Sequence, residues 1–285
     1  MRDRGARRSA GDIGATCVSG IAERHPAAID VENGAGDVAG ARRCEKQSGF
    51  GNVLGPPHIA HGDARADRGG VDLSTGQTSL IAAPSSHDPA SRFNDGKVDR
   101  QGRFVCGTLV PHGHQDLGKL YRLDRDRAVI CLETGIHISN SLSFAPDGRT
   151  MYFADSLRRA IWAYDYDPDT GAVGNKRVLI DTAPLKSGTD GACIDGDGCL
   201  WVALVEIGQI ARITPGGRID RSIAVPAEFP SCPAFGGPGL STLFVTSIRD
   251  TGTGRMKGTR PESGKVMAIT NLGVSGVPEP RFADA

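Results

Sequence analysis

Three short stretches hold the residue types best suited to chemistry. The first, RFNDGK at 92–97, sets a guanidinium (Arg92), an amide (Asn94) and a carboxylate (Asp95) side by side, running as a loop into a strand-like stretch. Such a loop is either a solvated turn or the rim of a site that grips a small polar molecule through directional hydrogen bonds. The other two are hard oxygen donors placed just ahead of apolar strand starts: Asn140 in HISNSL and Asp190 in TDGACID. An amide carbonyl and a carboxylate suit Ca²⁺, Mg²⁺ or Mn²⁺, and a carboxylate can also hold Zn²⁺. Each has a plainer role open to it. Asn140 could cap an Asx turn, which its own residues alone favour, and Asp190-Gly191 could be a hairpin turn. Asp147-Gly148 and Asp197-Gly198 are read as plain turns.

A fourth stretch, PHGHQD at 111–116, offers His112 and His114. Alternate residues of a strand share a face, so both imidazoles could reach one ion. Pro111 and Gly113 make a loop the better reading, and no acidic partner follows on a strand; His114 is then a residue that could line the mouth of a site. GAGDVAG (34–40) has the wrong glycine spacing for a dinucleotide loop and no strand before it. No G-x-S-x-G and no G-x-x-x-x-G-K-[ST] occur, which disfavours a serine hydrolase and a nucleotidase.

The elements that must position these residues repeat. KVDRQGRFVCGTL from Lys97, SFAPDGRTMYFADS from Ser143, CIDGDGCLWVALVE from Cys193 and AFGGPGLSTLFVTS from Ala234 each contain a short apolar strand, a turn (Asp-Arg-Gln-Gly in the first, Asp-Gly or Gly-Pro in the others) and an alternating strand. The first three are followed by a second strand pair, and GKVMAIT follows the fourth. The copies start roughly 40–50 residues apart, the spacing of four-stranded propeller blades. GGVDLSTGQTSLIAAP, from Gly69, adds two short strands around a turn. Four strands cannot bury a face alone, but stacked radially they can. The fold class is therefore all-β, a propeller rather than a plain sandwich of hairpins. Trp162, Tyr164, Tyr166 and Trp201 are expected to pack between blades.

Residues 1–68 differ. They hold one aromatic residue, Phe50, and are crowded with Gly, Ala, Arg and Asp, with no sustained period of 2 or 3.6. So little apolar surface cannot offset the entropy of ordering. This stretch is expected to be disordered or the product of a misassigned frame or start, with the propeller domain at 70–285. Over the whole chain 33 basic and 33 acidic side chains balance, which gives no support for nucleic acid or a membrane surface as partner. The arginine-rich start lacks an apolar segment and makes a poor secretory signal. Seven scattered cysteines, none spaced CxxC, read as reduced thiols, and the expected location is the cytoplasm.

SRFNDGKVDRQGRFVCGT, HISNSLSFAPDGRTMYFADS, IWAYDYDPDTGAVGNKRV, DGACIDGDGCLWVAL and PSCPAFGGPGLSTLFVTS, in that order, resemble the gluconolactonase/regucalcin family, also called the senescence-marker-protein family, from about residue 70 to the end. The resemblance implies a six-bladed β-propeller with one divalent metal ion (Zn, Ca, Mn or Mg) near its axis and hydrolysis of a small-molecule sugar lactone. By it, Asn140 and Asp190 are metal ligands, Asp190 is also the group to take a proton from water, and Arg92 and Asn94 contact substrate. Neither a nucleic-acid nor a membrane partner is expected, and the chain should be a monomer or weak oligomer. Two departures stand out. Ser141 replaces the family's usual glycine, and the first-blade motif that supplies a third ligand, a glutamate, is missing: Glu23, Glu32 and Glu45 lack its context. The first blade is thus atypical or missing, and a non-catalytic metal- or ligand-binding propeller is the alternative.

Overall fold

The computed structural model of the chain describes residues 15–17, 68–71, 78–84, 90–110, 117–252 and 254–283. Four four-stranded antiparallel sheets follow one another along the chain. The first holds β4 (Arg92–Val98), β5 (Phe104–Leu109), β6 (Gly118–Leu123) and β7 (Val129–Ile136); the second β8 (Ser139–Phe144), β9 (Thr150–Asp155), β10 (Ala160–Tyr166) and β11 (Val173–Asp181). The third holds β12 (Thr189–Ile194), β13 (Leu200–Leu204), β14 (Gln209–Ile213) and β15 (Ile219–Ala224). The fourth holds β16 (Pro230–Gly236), β17 (Thr242–Ser247) and β18 (Met267–Ile269), and its outermost strand is β1 (Ala15–Cys17), which pairs antiparallel with β18. β2 (Arg68–Val71) and β3 (Thr78–Ala82) form a two-stranded sheet.

Alternation along the middle strands shows why these sheets stack. On β9, Met151 and Phe153 join Val105 and Leu120 of the first sheet, while Tyr152 and Ala154 join Ala192, Leu200 and Val202 of the third. On β13, Leu200 and Val202 face the second sheet, and Trp201 and Ala203 face Phe235, Leu243 and Val245 of the fourth. Phe104 and Cys106 on β5 pack toward Ile81 and Ala82 of β3. A strand sends successive side chains to opposite faces; here both faces are buried, each against a neighbouring blade. This is a β-propeller. Tyr164, Tyr166 and Trp201 lie in these inter-blade cores, and Trp162 stacks on Phe153 at 6.4 Å. The glycines of the two plain turns have left-handed φ, 72° at Gly148 and 78° at Gly198. Among the described residues no helix is long and apolar enough to cross a membrane.

Two expectations change. The blades do not begin at Lys97, Ser143, Cys193 and Ala234 but at Arg92, Ser139, Thr189 and Pro230. Residues 92–96, read as a loop, are the first half of a strand. The reason is a β-bulge in each first strand, between Phe93 and Gly96, Asn140 and Ser143, Thr189 and Ala192, and Pro230 and Pro233. The extra residue breaks the in–out alternation from which strands are read in a sequence. The proposed first blade and most of residues 1–68 lie outside the described residues, although three of them, Ala15–Cys17, are a strand of the fourth sheet.

Candidate functional site

The first strands β4, β8, β12 and β16 are the inner strands and neighbour one another about the axis. Their approach is close: a Cβ on Gly191 of β12 would lie 2.7 Å from Cys232 Sγ of β16. Bulges re-aim side chains, and these four align in register. Asn94-Asp95, Ser141-Leu142, Asp190-Gly191 and Ser231-Cys232 fill the inserted positions of the four blades. Side chains distant in sequence thereby converge.

Asn94 Nδ2 donates to Ser139 O at 2.7 Å and to Asn140 Oδ1 at 3.0 Å. Asn140 Nδ2 donates to Ser156 Oγ at 2.7 Å, and Ser156 Oγ donates to Thr189 O at 2.6 Å. The corner of the Asn140 amide nearest Asp190 lies 3.1 Å from Asp190 Oδ1 and 3.0 Å from Ser139 O. An NH₂ group at that corner would donate to both oxygens. Asn94 Nδ2 would meet it donor to donor, and Ser156 Oγ donates to Thr189 O, whereas Ser139 O and Asp190 Oδ1, both acceptors, favour it. With Oδ1 turned to that corner instead, two oxygens face each other at 3.1 Å, the arrangement that a bound cation or a proton on Asp190 would select.

Burial, with the charge of Asp95 behind it, pushes the Asp190 carboxyl up to about 7. Asp95 is also pushed up to about 7 by burial, although the Leu142 N–H, donating to its Oδ2 at 2.8 Å, and Lys97 favour the carboxylate. Sequence reasoning placed Asp95 in the candidate loop but gave it no role of its own. It lies at the same bulge as Asn94, and superposing the four inner strands rather than the later Asp-Gly turns would have singled it out.

The sequence-predicted residues divide into three groups. Asn94, Asn140 and Asp190 come together. Arg92 lies two residues before Asn94 on β4, half-buried; burial lowers its pKa, and its Nη1 donates to Phe93 O at 3.2 Å, with no bond to the other three. His114 lies outside the described residues. For a divalent ion, the two facing oxygens are hard donors of the right kind. Among the described residues no three His, Cys, Asp or Glu side chains group as a metal site, and Glu23, Glu32 and Glu45 lie outside them.

The raised acids make a prediction about the chelator-treated protein. A carboxyl whose pKa is higher folded than unfolded binds protons preferentially in the folded state. Its stabilising contribution is complete below the ordinary value of 3.8 and is lost as pH rises through about 7. The unfolding midpoint of metal-free protein, followed by circular dichroism, should fall between pH 5 and pH 8. Mn²⁺ added at pH 8 should restore it. A midpoint that is level or rises over this range would contradict the assignment.

The SMP-30/Gluconolactonase/LRE-like region matches residues 59–249. Regucalcin of Xenopus laevis is 36% identical over 209 residues, covering 71% of this chain and 70% of its own length. A 6-deoxy-6-sulfogluconolactonase of Pseudomonas putida is 37% identical over 194 residues, covering 68% and 66%. Among solved structures, a calcium-binding protein, regucalcin, from Agrobacterium tumefaciens superposes with a TM-score of 0.68 at 31% identity, covering 74% of this chain and 72% of that one.

Proposed function

We propose, from the premise that this chain belongs to the SMP-30/gluconolactonase/LRE-like family, that it hydrolyses sugar lactones with the help of one divalent cation. The observation that carries this reading is the convergence of the Asn140 amide and Asp190 Oδ1 to 3.1 Å, which, with the amide oxygen turned to the carboxylate, offers two hard oxygens to one ion. Asn140 and Asp190 would hold the ion. When bound, it supplies polarisation of the lactone carbonyl and a lowered pKa for water. Asp190 takes a proton from water as the water oxygen bonds to the carbonyl carbon. The ring C–O bond then breaks, and the proton passes to the departing ring oxygen, leaving an open-chain sugar acid. Arg92 and Asn94 orient sugar hydroxyls. The relative that acts on 6-deoxy-6-sulfogluconolactone supports the substrate class.

One observation favours a second reading, a propeller that binds a metal or ligand without turnover: among the described residues no three His, Cys, Asp or Glu side chains group as a metal site. Glucono-lactone hydrolysis with and without EDTA, then with Zn²⁺, Ca²⁺ or Mn²⁺ added back, separates the two. Lactonase function predicts turnover lost to chelator and recovered with metal. Metal binding with no turnover selects the second reading, and turnover indifferent to EDTA overturns the role of the cation.

A further inference from the structure

Ser141 stands in the β8 bulge at φ 56°, in the left-handed region that side chains disfavour and glycine accepts freely. It is fully buried. Its Oγ donates to the backbone oxygen of Asp190 at 2.5 Å. The bond therefore runs from the bulge of one blade to the bulge of the next. It ends on the residue whose carboxylate faces Asn140, the residue immediately before Ser141. A strained conformation at a buried polar residue is retained where surrounding interactions fix it.

From this we infer that Ser141 is a positioning residue: its hydroxyl locks the Asp190 bulge so that the carboxylate stays opposed to Asn140 Oδ1. A glycine here would adopt this φ freely but could not make the bond, so the serine trades backbone ease for a tether between the two residues of the pair. The inference rests on the reading of Asn140 and Asp190 as cation ligands. Partners that orient ligands in this way typically change metal affinity or activity about 10–100-fold when removed.

Ser141→Gly and Ser141→Ala test it together. The glycine variant removes the bond and the strain at once; the alanine variant removes the bond and keeps the strain. Ser141→Gly should unfold at the parent's temperature or above, yet bind Mn²⁺ about 10–100-fold more weakly in a calorimetric titration. Ser141→Ala should lose affinity to the same extent and unfold at a lower temperature. Parent affinity in both variants overturns the inference. If the parent itself binds no Mn²⁺, the ligand reading fails, and crystal structures of parent and Ser141→Gly then decide the tether alone. An Asp190 carboxylate displaced from Asn140 in the variant upholds it; an unmoved carboxylate overturns it.

Discussion

Asp190→Asn is expected to abolish divalent-cation binding and to lower lactone turnover by about 10²–10⁴-fold, the range for removing a group that transfers the proton in the transition state. The same substitution should leave the fold at least as stable as the parent at pH 8. Asparagine matches aspartate in shape, and its NH₂ would face Asn140 Oδ1 across the 3.1 Å contact as a donor instead of an opposing oxygen. It also removes a buried charge, whose cost is what raises the carboxyl to about 7. Loss of function with no loss of stability is the mark of a residue kept for its chemistry. Mn²⁺ titration, steady-state hydrolysis and a thermal melt on one preparation measure all three effects. Turnover within a few-fold of the parent's would remove Asp190 from the mechanism, and a variant that unfolds much earlier would make it structural.

The second large effect concerns the scaffold. Trp201 is fully buried between the third and fourth blades, edge-on to Phe235 with ring centroids 5.8 Å apart. Its Nε1 donates at 2.8 Å to Asp195 Oδ2, which also accepts from Arg212 Nε at 2.7 Å. Trp201→Ala should cost about 3–5 kcal/mol, the usual range for emptying such a site. That corresponds to an unfolding midpoint lower by roughly 10 °C for a chain of this size. Trp201 pairs with Cys193 on β12, the strand that presents Asp190. Cation affinity should therefore weaken along with stability. A melt within about 2 °C of the parent's would show that this blade interface is not where the ring derives its strength.

The propeller was legible because its signals are local. Turns closed by glycine and alternating apolar residues recur at blade spacing, and each reports on a hairpin or a core within one repeat. The candidate site was legible only in part. Asn140 and Asp190 could be marked through the family resemblance, whereas their own residues allowed plain turns. The extended pairing of Arg92–Val98 was hidden because a bulge shifts the alternation halfway along. The orientation of the Asn140 amide depends on Asn94, Ser156 and Asp190, far apart in sequence, and no spacing rule could reveal it. Asp95 was named in its loop but given no role, because Asn-Asp-Gly also reads as a turn.

The aligned bulges carry a consequence for how such a protein can change. Asn94, Ser141, Asp190 and Ser231 occupy equivalent seats on four successive blades, each supplied by the same one-residue insertion. Because the insertion belongs to the repeat, the occupant of each seat can be exchanged without redrawing the sheet behind it. New chemistry on this scaffold is then a matter of re-lettering a few seats, with those of Ser141 and Asp190, joined by a hydrogen bond, exchanged as a pair.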